Sequence, residues 1–116
     1  MEKNVEICIL YDLYGKILTD KQSEFIDNYY NNDLSLAEIA ENNKITRQAV
    51  RDNIKKAEKK LFEYEEKLSF MKKMLNQEKK IEQILIQVNE VKSEIDNSKL
   101  KDVLENMKNE INDLIL

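Results

Sequence analysis

A chain of 116 residues with one glycine and no proline has almost no means of making tight β-hairpins, because the favoured two-residue loops need backbone conformations that glycine adopts cheaply. With Leu, Ile, Lys, Glu and Asn prominent, the expectation is an all-α protein. The same scarcity removes the usual helix punctuation, so boundaries must be set by side chains that accept hydrogen bonds from the first-turn N–H groups. Thr19 with Gln22 in "TDKQ", and Ser35 with Glu38 in "SLAE", have the spacing of a capping box. Thr46 and Ser98 are further expected N-caps. These signals predict helices over 3–17, 20–31, 35–42, 46–75, 78–96 and 98–115.

Several function classes fall away on composition. His is absent and Cys8 is the single cysteine, which removes imidazole bases, disulfide frameworks and the usual zinc spacings. The acidic residues are interleaved with Lys and form no isolated carboxylate pair, so no catalytic residue, metal or cofactor is expected, and the protein is not read as an enzyme. No segment approaches the roughly 20 apolar residues of a membrane span, and the N-terminus has no basic leader. A cytoplasmic protein without membrane insertion is expected, with Cys8 in "VEICILYDLY" a small buried apolar residue.

Residues 35–61, "SLAEIAENNKITRQAVRDNIKKAEKKL", read as two helices joined by a tight turn. Leu36, Ile39 and Ala40 form one apolar stripe; Val50, Ile54, Ala57 and Leu61 form another. A small residue at Ala40 suits the close approach of two helices crossing at the steep angle of a helix-turn-helix. On the outward side Arg47, Arg51, Lys55 and Lys59 recur every four residues, with Gln48 and Lys56 beside them. Like charges at that interval cost an isolated helix about 0.2–0.5 kcal/mol each. From Lys44 to Lys60 there are seven basic and two acidic residues, a local net of +5 in a chain of net −4. The candidate nucleic-acid-binding residues are Thr46, Arg47, Gln48, Arg51, Lys55, Lys56 and Lys59, the cations for phosphates and Thr46, Arg47 and Gln48 for base edges.

Beyond Leu61 the apolar interval continues through Tyr64, Leu68, Met71 and Leu75, as a seam running from Ile54. It slips at "NQEKK" and resumes as Ile81, Ile84, Val88, Val91 and Ile95, then as Leu100, Leu104, Met107, Ile111 and Leu114. Met71, Met74 and Met107 are expected to fill core gaps. At the other end, "VEICILYDLY" is apolar well beyond one stripe, so a second subunit is expected to cover part of it, with Tyr11 and Tyr14 placing hydroxyls at the edge of that interface. The expected organisation is an N-terminal helix at 1–18 making a dimer contact, a helix-turn-helix headpiece at 19–62, and long amphipathic C-terminal helices at 63–116.

"LYDLYGKILTDKQ", "NDLSLAEIAE" and "TRQAVRDNIKKAEKKL" occur in the order and spacing of the YlxM-like family of small bacterial proteins, which the chain resembles over about residues 9 to 68. "LTDKQ…LSLAEIAE…ITRQAVRDNIKKAEKKL" is also similar, in fold and mode of contact only, to the promoter-binding helix-turn-helix at the C-terminal end of bacterial sigma factors. The YlxM resemblance implies an all-helical, dimeric helix-turn-helix protein with a regulatory role linked to the signal recognition particle pathway. Two functions are therefore expected in order: binding of nucleic acid, duplex DNA before structured RNA, or an adaptor role docking on the particle's GTPase. The sequence departs from the family pattern at Asn43, which replaces a large apolar residue, and at Lys44, in the turn. Lys in a left-handed conformation costs roughly 1 kcal/mol, so either Asn43 takes that conformation and the turn shifts by a residue, or the headpiece is looser.

Overall fold

A computed structural model describes residues 1–95 and 97–114. The described residues form six α-helices, α1 (Lys3–Tyr14), α2 (Asp20–Ile26), α3 (Leu36–Asn43), α4 (Arg47–Leu68), α5 (Phe70–Glu94) and α6 (Ser98–Asp113), and no strand. A 3₁₀ turn (Gly15–Ile17) follows α1 and a π-helical turn (Asp27–Asn31) follows α2. The chain divides into two compact units, Met1–Met71 and Lys72–Leu116.

The first unit is built by its caps. Thr19 and Ser35 each close a complete capping box, with Gln22 and Glu38 respectively, and Thr46 accepts from the Ala49 N–H at 3.1 Å. Ile7, Leu10 and Tyr14 of α1 join Phe25, Ile26, Ile39, Ala40, Val50, Ile54, Ala57 and Leu61 in one buried core. Cys8, expected to be buried, is only half-buried, with its thiol 3.4 Å from Asn31 Oδ1. The single glycine is not in a left-handed conformation: Gly15 has φ −56°, and a Cβ there would stand 3.0 Å from the Tyr11 ring. Among the described residues the positive φ angles fall instead on Asp33, Lys44 and Ser69.

The long helix expected over 46–75 ends earlier, at Leu68, and "NQEKK", where a break was expected, lies inside α5. Gln, Glu and Lys are good helix formers with no reason to stop a helix. The break is made at Ser69, which is left-handed (φ 56°, ψ 30°). Glu65 Oε1 accepts from the Met71 N–H at 2.9 Å and from the Tyr14 hydroxyl at 2.8 Å, and the Tyr14 oxygen in turn accepts from the Phe70 N–H at 3.2 Å. These bonds cap the start of α5 with side chains from α1 and α4. Tyr14 also stacks on Tyr64 and Phe70. The hydroxyl expected at an interface edge therefore finishes inside the chain, as does that of Tyr11, 2.9 Å from Ser23 Oγ. The apolar seam from Ile54 consequently stops, with Leu68 39% exposed.

In the second unit Ile81 and Val88 are buried, and Lys92 pairs with Glu105 across to α6. That lysine holds the Glu105 carboxyl below its ordinary pKa, through the hydrogen bond first. The N-cap of α6 is Asn97 rather than Ser98: its Oδ1 accepts from the N–H groups of Lys99 and Leu100. Asp96 and residue 115, which bound two of the expected helices, lie outside the described residues. Met71 packs against the core of the first unit, and Met107 is 46% exposed.

Candidate nucleic-acid interface

Between α3 and α4 the chain turns in three residues. Lys44 is left-handed (φ 55°, ψ 42°) and donates its N–H to Glu41 O, while the Ile45 N–H reaches back to Ala40 O at 3.1 Å. This is the double bond pattern with which a glycine usually closes a helix, made here by lysine. Asn43 stays helical, so the turn has not shifted; its Nδ2 donates to Ile39 O at 2.8 Å and its Oδ1 accepts from Lys21 at 3.0 Å. Those two bonds, one along α3 and one to α2, are what the polar residue contributes where an apolar one was expected.

The turn delivers α4 with Val50, Ile54, Ala57 and Leu61 inward and with Arg47, Gln48, Arg51, Lys55, Lys56 and Lys59 all exposed. Thr46 is exposed as well, its oxygen occupied by the cap. Along the outward side the cations are not equivalent. Lys59 is 4.0 Å from Glu63. Arg51 and Lys55 share an open cleft with Lys3 and Tyr29, residues that the sequence placed nowhere near them. The carboxylate in this cleft, Glu58, pairs with Lys3 at 3.2 Å and accepts from the Tyr30 hydroxyl, which leaves Arg51 and Lys55 without it. Burial, then Glu58, pushes the Tyr30 phenol above its ordinary pKa, so it stays a neutral donor.

Asp52, too, was not among the expected site residues; its Oδ1 accepts from Gln48 Nε2 at 2.9 Å. The interval of four between them was visible; Lys3 had no local signal, because only the fold brings α1 to α4. No group of three or more His, Cys, Asp or Glu suited to a metal ion occurs among the described residues, and no helix there is long and apolar enough to cross a membrane.

A family model described as "Putative helix-turn-helix protein, YlxM / p13 like" (UPF0122) matches residues 1–113. The chain is 47% identical over 109 residues to a UPF0122 protein of Clostridium botulinum (strain Alaska E43 / Type E3), covering 92% of this chain and 100% of that one. It is 42% identical to UPF0122 proteins of Listeria monocytogenes serotype 4b (strain CLIP80459), over 93% of this chain and 96% of the relative, and of Clostridium kluyveri (strain NBRC 12016), over 96% of each.

Proposed function

This chain belongs to the YlxM/p13-like family of helix-turn-helix proteins, and from that premise we propose that it is a cytoplasmic regulatory protein that binds nucleic acid through α4, duplex DNA before structured RNA. The supporting observation is the outward face of α4, where Arg47, Arg51, Lys55 and Lys56 are exposed on a helix whose inner face is fixed in the core. Cations so placed neutralise phosphates; Thr46, Arg47 and Gln48, at the N-terminal end, stand where recognition helices reach base edges. Lys59, exposed and 4.0 Å from Glu63, extends the same row of cations.

The active form is a homodimer. Val5, Ile9 and Leu13 make a ridge at intervals of four on the outer side of α1, with Val5 49% and Leu13 37% exposed and Ile9 half-buried. Two such ridges interdigitate at about −50°, and a twofold contact presents two α4 helices to one duplex. The link to the signal recognition particle pathway rests on the family resemblance alone. Titration of labelled duplex DNA and of a hairpin RNA at low salt tests the reading. Binding tighter than about 100 μM, the weak end of non-specific association, supports it; no binding of either transfers the basic face to protein docking, on the particle's GTPase as an adaptor.

A further inference from the structure

Helical geometry at about 100° per residue puts Gln48 and Asp52 along the middle of the outward face of α4, with Arg51 and Lys55 to one side and Lys56 to the other. Both are exposed, and their side chains bond to each other. A carboxylate only accepts hydrogen bonds, so the amide nitrogen of Gln48 is the end that faces it. Among the described residues no cation stands within ion-pair distance of Asp52. It is also the sixth residue of α4, beyond the first turn where a carboxylate gains from the helix dipole. An unneutralised anion at the centre of a phosphate-binding face lowers affinity for any backbone, since like charges repel. Against base edges it does the opposite at cytosine, which presents an amino group alone; adenine sets its amino group beside the N7 acceptor, and guanine and thymine present acceptors, which repel a carboxylate.

Resting on the reading of α4 as a recognition helix, we propose that Asp52 is a specificity-determining residue, reading the exocyclic amino group of cytosine in the major groove of a duplex. Gln48 holds the carboxylate in place and keeps its own oxygen for the neighbouring base. The site trades general affinity for discrimination, its flanking cations supplying the attraction that Asp52 subtracts.

Selection from a randomised duplex pool by the full chain, followed by anisotropy on the enriched duplex and on a shuffled one, tests this. The wild type is expected to enrich cytosine at one position per bound subunit. Asp52→Ala and Asp52→Asn are expected to lose that preference, by about tenfold in affinity ratio, while binding the shuffled duplex more tightly than wild type does. Asp52 is exposed and caps no helix, so both variants fold. If the wild type and both variants enrich the same motif, and Arg51→Ala still weakens all duplexes alike, Asp52 is not a reader although α4 binds DNA. If the wild type binds no duplex, this inference falls, and the nucleic-acid reading falls with it only when the hairpin RNA is not bound either.

Discussion

At the scale of single residues, the chain makes its sharpest turns with side chains poorly suited to them. Asp33, Lys44 and Ser69 take left-handed backbone conformations that cost an L-residue about 1 kcal/mol each. Lys44→Gly should therefore raise stability by about 0.5–1 kcal/mol, the relief of strain exceeding the glycine's added unfolded entropy. A urea midpoint shifted upward at unchanged slope shows this; a lower midpoint means that the lysine side chain stabilises the turn in some other way. The caps at Thr19, Ser35 and Thr46 were legible because donor and acceptor lie three residues apart in the sequence. Ser69 was not, because its conformation is held by Tyr14 and by the packing of Phe70, fifty-odd residues from one another. Asn97 took the cap expected at Ser98 because either neighbouring residue offers a suitable oxygen, and sequence alone does not choose between them.

Among the elements, the inner stripes of α3 and α4 were readable from periodicity, and Ala40 sits buried between them. Ala40→Leu should cost about 1–3 kcal/mol by overpacking, seen as loss of native NMR dispersion for residues 20 to 60 while α5 and α6 stay helical; full dispersion there would contradict the close crossing. Two phenols carry a pH dependence, Tyr14 at the α4–α5 junction and Tyr30 against Glu58 of α4. Tyr14 is raised above its ordinary pKa of 10.0, by burial first and by its bond to Glu65 second, and Tyr30 is raised too, by burial first and by its bond to Glu58 second. The fold holds both protons to higher pH than the unfolded chain does. Their contribution is thus complete below about pH 10, the unfolded value, and is lost as pH rises through the raised folded values. Alkaline titration followed by tyrosinate absorbance and circular dichroism should show these two phenols ionising together with loss of helix, and Tyr14→Phe should flatten that dependence. Ionisation of all five tyrosines with the helices intact would contradict the burial of Tyr14.

For the whole molecule, the all-helical class and the family followed from turn chemistry and from motifs spread along the chain, whereas the gathering of Lys3 and Tyr29 into one cleft with Arg51 and Lys55 needed the fold. Dimerisation through α1 predicts a mass near twice 13.8 kDa at micromolar concentration by sedimentation equilibrium, reduced to one by Ile9→Asp, since an unpaired carboxylate would be buried at the contact; a variant that stays dimeric removes α1 from the interface. If the cations of α4 meet phosphates, a salt series of duplex binding by fluorescence anisotropy shows it. Three or four phosphate contacts per subunit, doubled in a dimer, give a slope of log K against log salt of roughly −5 to −7, which Arg51→Ala should make shallower by about two. A slope near zero, or one that Arg51→Ala leaves unchanged, means that the cations of α4 do not meet phosphates.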